Sequence, residues 1–219
     1  MQTVRSAGNP AIPRAAPFVV YMLFLGAESL LPAAVAARFD PHWLYLAQIA
    51  ATALVLARCW PAFDELRGQR WSAQGLIVSL ACGLAVYAAW RALDQPWATI
   101  GSPRPLEPAA RLFPAHVLFA AARLAGAVLL VPVMEELFWR SFVLRWLDRA
   151  DFLALAPRLI SLRALAGGAV LFGLEHSLLL AGIVAGFAFG ALYRRCGNLW
   201  CVILAHAVTN AVIEFAPPH

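Results

Sequence analysis

The sequence predicts an all-α, polytopic membrane bundle of about seven to eight transmembrane helices around a polar cavity, and three observations carry that expectation. Of 219 residues, 62% are hydrophobic and 13% charged, whereas a soluble domain runs at about 45–50% and about 25%. The mean hydropathy is +0.72. Apolar runs recur at lengths near the roughly 20 residues that a helix needs to cross a bilayer. The chain has room for about six to eight such crossings and none for a separate soluble domain. Residues 1–219 therefore read as one membrane domain, with a motif-bearing core at 113–215.

The first span is expected over Phe18 to Ala37, with Glu28 inside it as a structural partner for another helix. Met1 to Ala16 carries Arg5 and Arg14 but no cleavage-site pattern, so this end reads as an anchor rather than a removed signal peptide. Arg38 to His42 forms a short turn, and Trp43 to Trp60 a second span closed by Pro61. After the polar link Asp64 to Arg70, a third span covers Gly75 to Leu93. Asp94 to Arg111 holds Pro96, Pro103, Pro105, Pro108 and Trp97, too polar to cross and too proline-rich for a long helix, and suits an interfacial loop. The fourth span begins near Phe113 and carries Arg123 at mid-depth. Pro132, lacking an amide hydrogen, is expected to kink or break it, and the helix from Met134 to Leu147 then tips its acids inward.

Asp148 to Arg163 reads as a surface connector. The next span, Ala164 to Leu179, holds Phe172 to His176, and a turn at Leu180 to Gly182 leads into Ile183 to Tyr193. Gly182, Gly186 and Gly190 lie four apart, which gives that helix a smooth edge for close packing. Asn198 to Phe215 is the last span, with His206 and Asn210 on one face at i, i+4.

All 17 basic residues are arginine, and the net charge is +5. In so apolar a chain this excess reads as membrane topology rather than nucleic-acid binding. With the N-terminus in the cytoplasm, the inner side holds Arg5, Arg14, Arg58, Arg67, Arg70, Arg140, Arg145, Arg149, Arg158, Arg163, Arg194 and Arg195. The outer side holds Arg38, Arg91, Arg104 and Arg111, and Arg123 stays in the membrane. The positive-inside rule thus places the N-terminus inside and the C-terminus outside. Cys59, Cys82, Cys196 and Cys201 form no C-x-x-C pair, which argues against a cysteine zinc site.

One stretch concentrates the chemistry. In Val131 to Arg140, two adjacent carboxylates and a guanidinium interrupt an apolar run, and each ionised group at membrane depth costs roughly 2.5–3.5 kcal/mol. On a helix, Glu136 and Arg140 are i, i+4 and can pair, which leaves Glu135 without a local cation. Two further apolar helices supply Glu175 with His176, and His206 with Asn210. Singly, each is more often an interhelical hydrogen-bonder; together they make sense if they converge. A carboxylate with histidines can activate water, directly or through zinc, and Asn and His can donate to an oxyanion. Ser141 and Ser177 adjoin the motifs without a nucleophile signature, and H-E-x-x-H is absent.

Glu135-Glu136-x-x-x-Arg140, Phe172-x-x-x-His176 and His206-x-x-x-Asn210 resemble, in order, the signature of the CAAX-protease and bacteriocin-processing (Abi) family of intramembrane endopeptidases. The runs Val131 to Leu147, Phe172 to Ser177 and Tyr193 to Asn210 are similar to the bacterial "CAAX prenyl protease-related" subgroup, associated with exosortase-type sorting systems. The resemblance implies a helical fold enclosing a hydrophilic cavity open to one face and laterally to lipid. It further implies that Glu135 and His176 activate water, that His206 and Asn210 stabilise the oxyanion, and that Arg140 braces Glu136, with Glu175 as an extra acid. A metal-free glutamate mechanism is preferred; a divalent metal such as zinc would take Glu135, His176 and His206. The expected partners are a membrane-associated protein or peptide substrate and the lipid bilayer, with no nucleic acid, and the expected location is a bacterial inner membrane. A non-catalytic assembly or immunity factor is the alternative, and an ion carrier using Glu28, Arg123, Glu135 and Glu175 a third.

Overall fold

In hydrocarbon, a backbone that pairs its own N–H and C=O groups is the one form that leaves none unsatisfied, and the long apolar runs fold accordingly. The computed structural model describes residues 8–30, 41–100 and 117–216, without the side chains of 29, 41 and 42. In chain order its helices are α1 (Ala11–Leu30), α2 (Pro41–Cys59), α3 (Ala73–Ala92), α4 (Val117–Trp146), α5 (Leu162–Leu174), α6 (Leu179–Cys196) and α7 (Leu199–Phe215). Among the described residues, α1, α2, α3, α4 and α6 are long and apolar enough to cross a membrane, α5 and α7 are shorter apolar helices, and there are no strands. The protein is an all-helical membrane bundle.

Local chemistry sets the helix ends. Ser72 caps α3 by accepting from Gly75 N at 2.9 Å, Ser161 caps α5 through Ala164 N at 3.1 Å, and Asn198 caps α7 through Trp200 N at 3.0 Å. Gly197, at φ +67°, closes α6 in the left-handed conformation that glycine adopts without strain.

Close packing holds the helices together, because lipid gives them no hydrophobic reason to associate. Helices α5 and α6 form an antiparallel hairpin along the glycine edge seen in the sequence. A Cβ at Gly182 would lie 2.9 Å from the Cα of Gly173, one at Gly186 2.9 Å from the Cα of Ala169, and one at Gly190 2.9 Å from Leu165 Cδ2. Helix α7 packs on α3, α4 and α6. It runs parallel to α3, tied by Thr209 Oγ1 to Gly83 O at 2.9 Å and by Tyr87 Oη to Ala216 O at 2.9 Å. It runs antiparallel to α4, joined by Arg123–Glu214 at 2.7 Å and Asn210–Ala127 at 2.8 Å.

The structure corrects several expectations. Pro132 does not break α4; the helix instead widens to π geometry over Gly126–Leu130 and again over Leu137–Val143. Helix α5 stops at Leu174, so Glu175 and His176 sit on a turn rather than within a span, and α6 starts at Leu179 with no turn at 180–182. The 13 residues of α5 extend about 20 Å at 1.5 Å each, short of a bilayer's roughly 30 Å core. Arg14, Arg140 and Arg145, counted above as inner-side charges, lie within helices and are buried. Arg5, Arg38, Arg104 and Arg111, the 38–40 part of the first turn, the loop beyond Ile100 and the start of the fourth span at 113–116 lie outside the described residues.

Arg14 shows what a buried arginine needs. Its Nε and Nη2 donate to the two oxygens of Glu65 at 2.8 and 2.6 Å, and Nη1 to Pro10 O at 2.9 Å. Ser141 of α4 hydrogen-bonds the same carboxylate, so one bidentate pair ties α1, the 3-10 turn Asp64–Leu66 and α4. Burial alone would raise the Glu65 pKa, but the guanidinium and the hydroxyl outweigh it and hold the carboxyl below its ordinary range.

Gly186→Val is expected to lower stability by about 1–3 kcal/mol through overpacking against the α5 backbone. Gly167→Ala, where the nearest atom to a new Cβ is Leu147 Cδ1 at 3.8 Å, is expected to be neutral or stabilising. Unfolding of the detergent-purified protein checks both.

Candidate active site

The site begins with a defect in α4. Val131 N bonds Gly126 O five residues back, as in a π-helix. In that register the donor owed to Ala127 O is the nitrogen of Pro132, which has no hydrogen. Asn210 of α7 supplies it, its Nδ2 donating to Ala127 O at 2.8 Å. One turn earlier Tyr45 of α2 donates to Arg123 O at 3.3 Å, and a Cβ at Gly126 would collide with that hydroxyl. Glycine, proline and two side-chain donors thus stabilise the widened stretch that leads into the two glutamates.

Glu136 is fully buried, and its partners surround it. Oε1 accepts from His206 Nδ1 at 2.7 Å and from Arg140 Nη1 at 3.1 Å. Oε2 lies 3.1 Å from Arg140 Nε, an ion-pair contact without the alignment of a hydrogen bond. The i, i+4 pairing read from the sequence is present. Arg140 is 2% exposed, donates to Gly186 O at 3.4 Å, and has the rings of Phe172 and Phe189 at 4.4 and 5.3 Å. The cation is held by a carboxylate, a carbonyl and two π-faces, as burial of a charge demands.

Glu135 differs from its neighbour. It is 7% exposed, and its Oε2, like that of Glu136, is buried without a hydrogen-bond partner, but no arginine lies within ion-pair distance of it among the described residues. Facing it at 3.9 Å is Nε2 of His206. A carboxylate accepts only, so the contact to Glu136 places a hydrogen on His206 Nδ1 and fixes the ring; Phe189 stacks on it at 5.1 Å. The gap from Glu135 to His206 is too long for a hydrogen bond and within the span that one bridging oxygen can bond on both sides.

The turn after α5 brings the second motif. Glu175 N and His176 N bond Phe172 O and Gly173 O, tightening the last turn of the helix. His176 Nδ1 lies 2.8 Å from Phe172 O, which sets Nδ1 as the donor and leaves the Nε2 lone pair available. Trp139 of α4 donates Nε1–H to Glu175 at 2.8 Å, joining the two motifs. Trp90 packs edge-on to His176 at 5.2 Å. Above the turn, Ile100 N bonds Ser177 O at 2.7 Å, so the described part of the proline-rich loop rests on it.

Of the residues singled out in the sequence, the structure brings Glu135, Glu136, Arg140 and His206 into direct contact and joins Glu175 to them through Trp139. His176 reaches them through Phe172, whose ring lies 4.7 Å from His176 and 6.5 Å from His206. Asn210 commits an amide hydrogen to α4, and Ser141 belongs to the Arg14–Glu65 cluster. Arg123, considered for an ion relay, is paired with Glu214. Among the described residues, no three side chains of His, Cys, Asp or Glu gather closely enough to hold a metal ion. Glu135, His176 and His206 are therefore not preassembled as ligands. Sequence reasoning missed Trp139, Tyr45 and the Arg14–Glu65 pair; only the aromatic run around Arg140 hinted at the first.

A family model described as type II CAAX prenyl endopeptidase Rce1-like matches residues 117–212. That segment is less than half of the chain, runs from α4 into α7, and holds Glu135, Glu136, Arg140, Glu175, His176, His206 and Asn210. No curated protein and no solved structure matches the chain.

Asn210→Ala is expected to destabilise the protein by about 1–3 kcal/mol by orphaning a buried carbonyl. In a Pro132→Ala background the loss should shrink, because a backbone N–H is restored at position 132. A double-mutant cycle on unfolding measures this coupling.

Proposed function

We propose that the chain is an intramembrane endopeptidase of the CAAX-protease type that hydrolyses a peptide bond near the terminus of a membrane-associated protein. The observation that carries this reading is the unpartnered, buried oxygen of Glu135 opposite a histidine whose other nitrogen is held by Glu136. The similarity of residues 117–212 to the Rce1-like family supports it.

In the proposed mechanism, Glu135 holds the water with His206, and His176 assists from the turn after α5. As its oxygen attacks the peptide carbonyl, Glu135 takes the proton, and the carbonyl electrons move onto oxygen. His206, when Nε2 carries a hydrogen, donates it to that oxyanion. Asn210 adds a donor through the amide hydrogen not committed to Ala127. Collapse of the intermediate breaks the C–N bond, and Glu135 returns its proton to the departing amine. Arg140 offsets the charge of Glu136 and keeps the His206 ring oriented. Glu175, held by Trp139, positions the turn that carries His176. No step is routed through a metal, since the three candidate ligands are not gathered.

The same reading places the protein in a bacterial inner membrane with the N-terminus in the cytoplasm, as one domain over residues 1–219. It places the substrate among membrane-associated proteins, and the subgroup resemblance suggests an exosortase-type sorting system as its setting.

Terminal proteomics of membranes from cells with and without the protein is expected to reveal an uncut substrate. On that substrate, purified Glu135→Gln should cleave about 10²–10⁴-fold more slowly with an unchanged unfolding midpoint. Full activity in Glu135→Gln rejects the assignment.

A further inference from the structure

Away from the glutamates, a second polar feature opens at one face of the bundle. The N-terminal ends of α3 and α7, the C-terminal end of α6 and the 3-10 turn Pro157–Leu159 meet there around a cavity of about 160 Å³. It is smaller than the roughly 300–1,000 Å³ pockets that take drug-sized molecules. Arg70, Arg158 and Arg195, from three separate segments, line it, and no carboxylate does. None of the three is paired with a carboxylate among the described residues, unlike Arg14, Arg123 and Arg140, each of which has its own acid. Three guanidinium groups repel one another, so their gathering without an acid leaves a charge deficit that an anion would fill.

The backbone adds to the same field. Ser72 and Asn198, the N-caps of α3 and α7, both line the cavity. Two helix N-termini therefore bring their partial positive charge and first-turn N–H groups to one space. The neighbouring Trp71 is half exposed, and Trp200 donates Nε1–H to Leu66 O at 2.9 Å; tryptophans of this kind are enriched at membrane interfaces. Basic pockets between the ends of membrane helices suit phosphate-bearing head groups.

We propose that this cavity binds a phosphate-bearing anion, through Arg70, Arg158 and Arg195 with the N-termini of α3 and α7. The shared chemistry is a tetrahedral phosphate, carried by an anionic lipid headgroup or free in solution. The site is separate from the proposed catalytic one, and its test does not depend on proteolysis.

The full-length protein, purified in neutral detergent, is titrated with phosphatidylglycerol, with phosphatidylcholine, and with inorganic phosphate against chloride at matched ionic strength. Binding is read by retained mass in native mass spectrometry and by the unfolding midpoint. Each Arg→Gln change at 70, 158 or 195 is expected to weaken phosphatidylglycerol binding about fivefold, and the triple variant about a hundredfold. Arg149→Gln with Arg163→Gln, which removes two charges from exposed positions outside the cavity, should leave binding unchanged. Binding of phosphatidylglycerol alone, lost in the triple variant, identifies a lipid headgroup; competition by inorganic phosphate identifies a site for the free anion as well. The proposal is overturned if neither probe binds, if the triple variant binds like the wild type, or if the control pair loses as much affinity.

Discussion

A carboxylate sealed in an oily bundle is the constraint from which the rest of this structure follows. Glu136 has no water to solvate it, so Arg140 from its own helix and His206 from α7 must do so. That requirement fixes α4 against α7 and locks the imidazole. With Nδ1 engaged, the opposite nitrogen faces Glu135, whose own oxygen is left without a bond. One acid has a guanidinium and an imidazole in direct contact, and its neighbour has neither within hydrogen-bond distance. Unmet hydrogen-bonding capacity at such depth is costly, and it is retained where a ligand or a reacting molecule will meet it.

The geometry depends on irregular backbone. A regular α-helix from Val117 to Trp146 would rotate each residue by about 100° without exception. Two π-helical stretches alter that phase on either side of the glutamates. Their stability comes from neighbours: Tyr45 and Asn210 satisfy carbonyls that the widened helix and Pro132 leave open. The premature end of α5 acts similarly, since the turn after Leu174 sets His176 against Phe172 and Trp90, where a continuing helix would carry it past. Gly173, Gly182 and Gly186 permit the close approach of α5 and α6 on either side of this turn.

Much of this was legible in the sequence because it rests on local periodicity. The pairing of Glu136 with Arg140 follows from i, i+4 spacing, and the α5–α6 contact from three glycines four residues apart. Burial of both glutamates follows from the apolar run around them. What was not legible is non-local or set by packing. The contact of Glu136 with His206 spans 70 residues in sequence, and no spacing rule selects His206 over another polar residue. Arg14 and Glu65 sit in segments whose composition reads as interfacial, so their burial against Ser141 could not be foreseen. Pro132 signalled a disturbance, but its form depends on donors from α2 and α7. The stop after Leu174 has no proline to announce it, and Gly173 stands inside the last turn rather than after it.

The central claim is that the Glu136–Arg140–His206 network leaves Glu135 Oε2 and His206 Nε2 placed so that one water can bridge them during the reaction. An experimental structure in lipid, at a resolution that shows ordered water, tests this most directly. The account predicts an oxygen within hydrogen-bonding distance of both Glu135 Oε2 and His206 Nε2, lost on Glu135→Ala while the Glu136–His206 contact persists. A Glu135 side chain turned toward lipid, or bonded directly to His206 with no room for water, would contradict it.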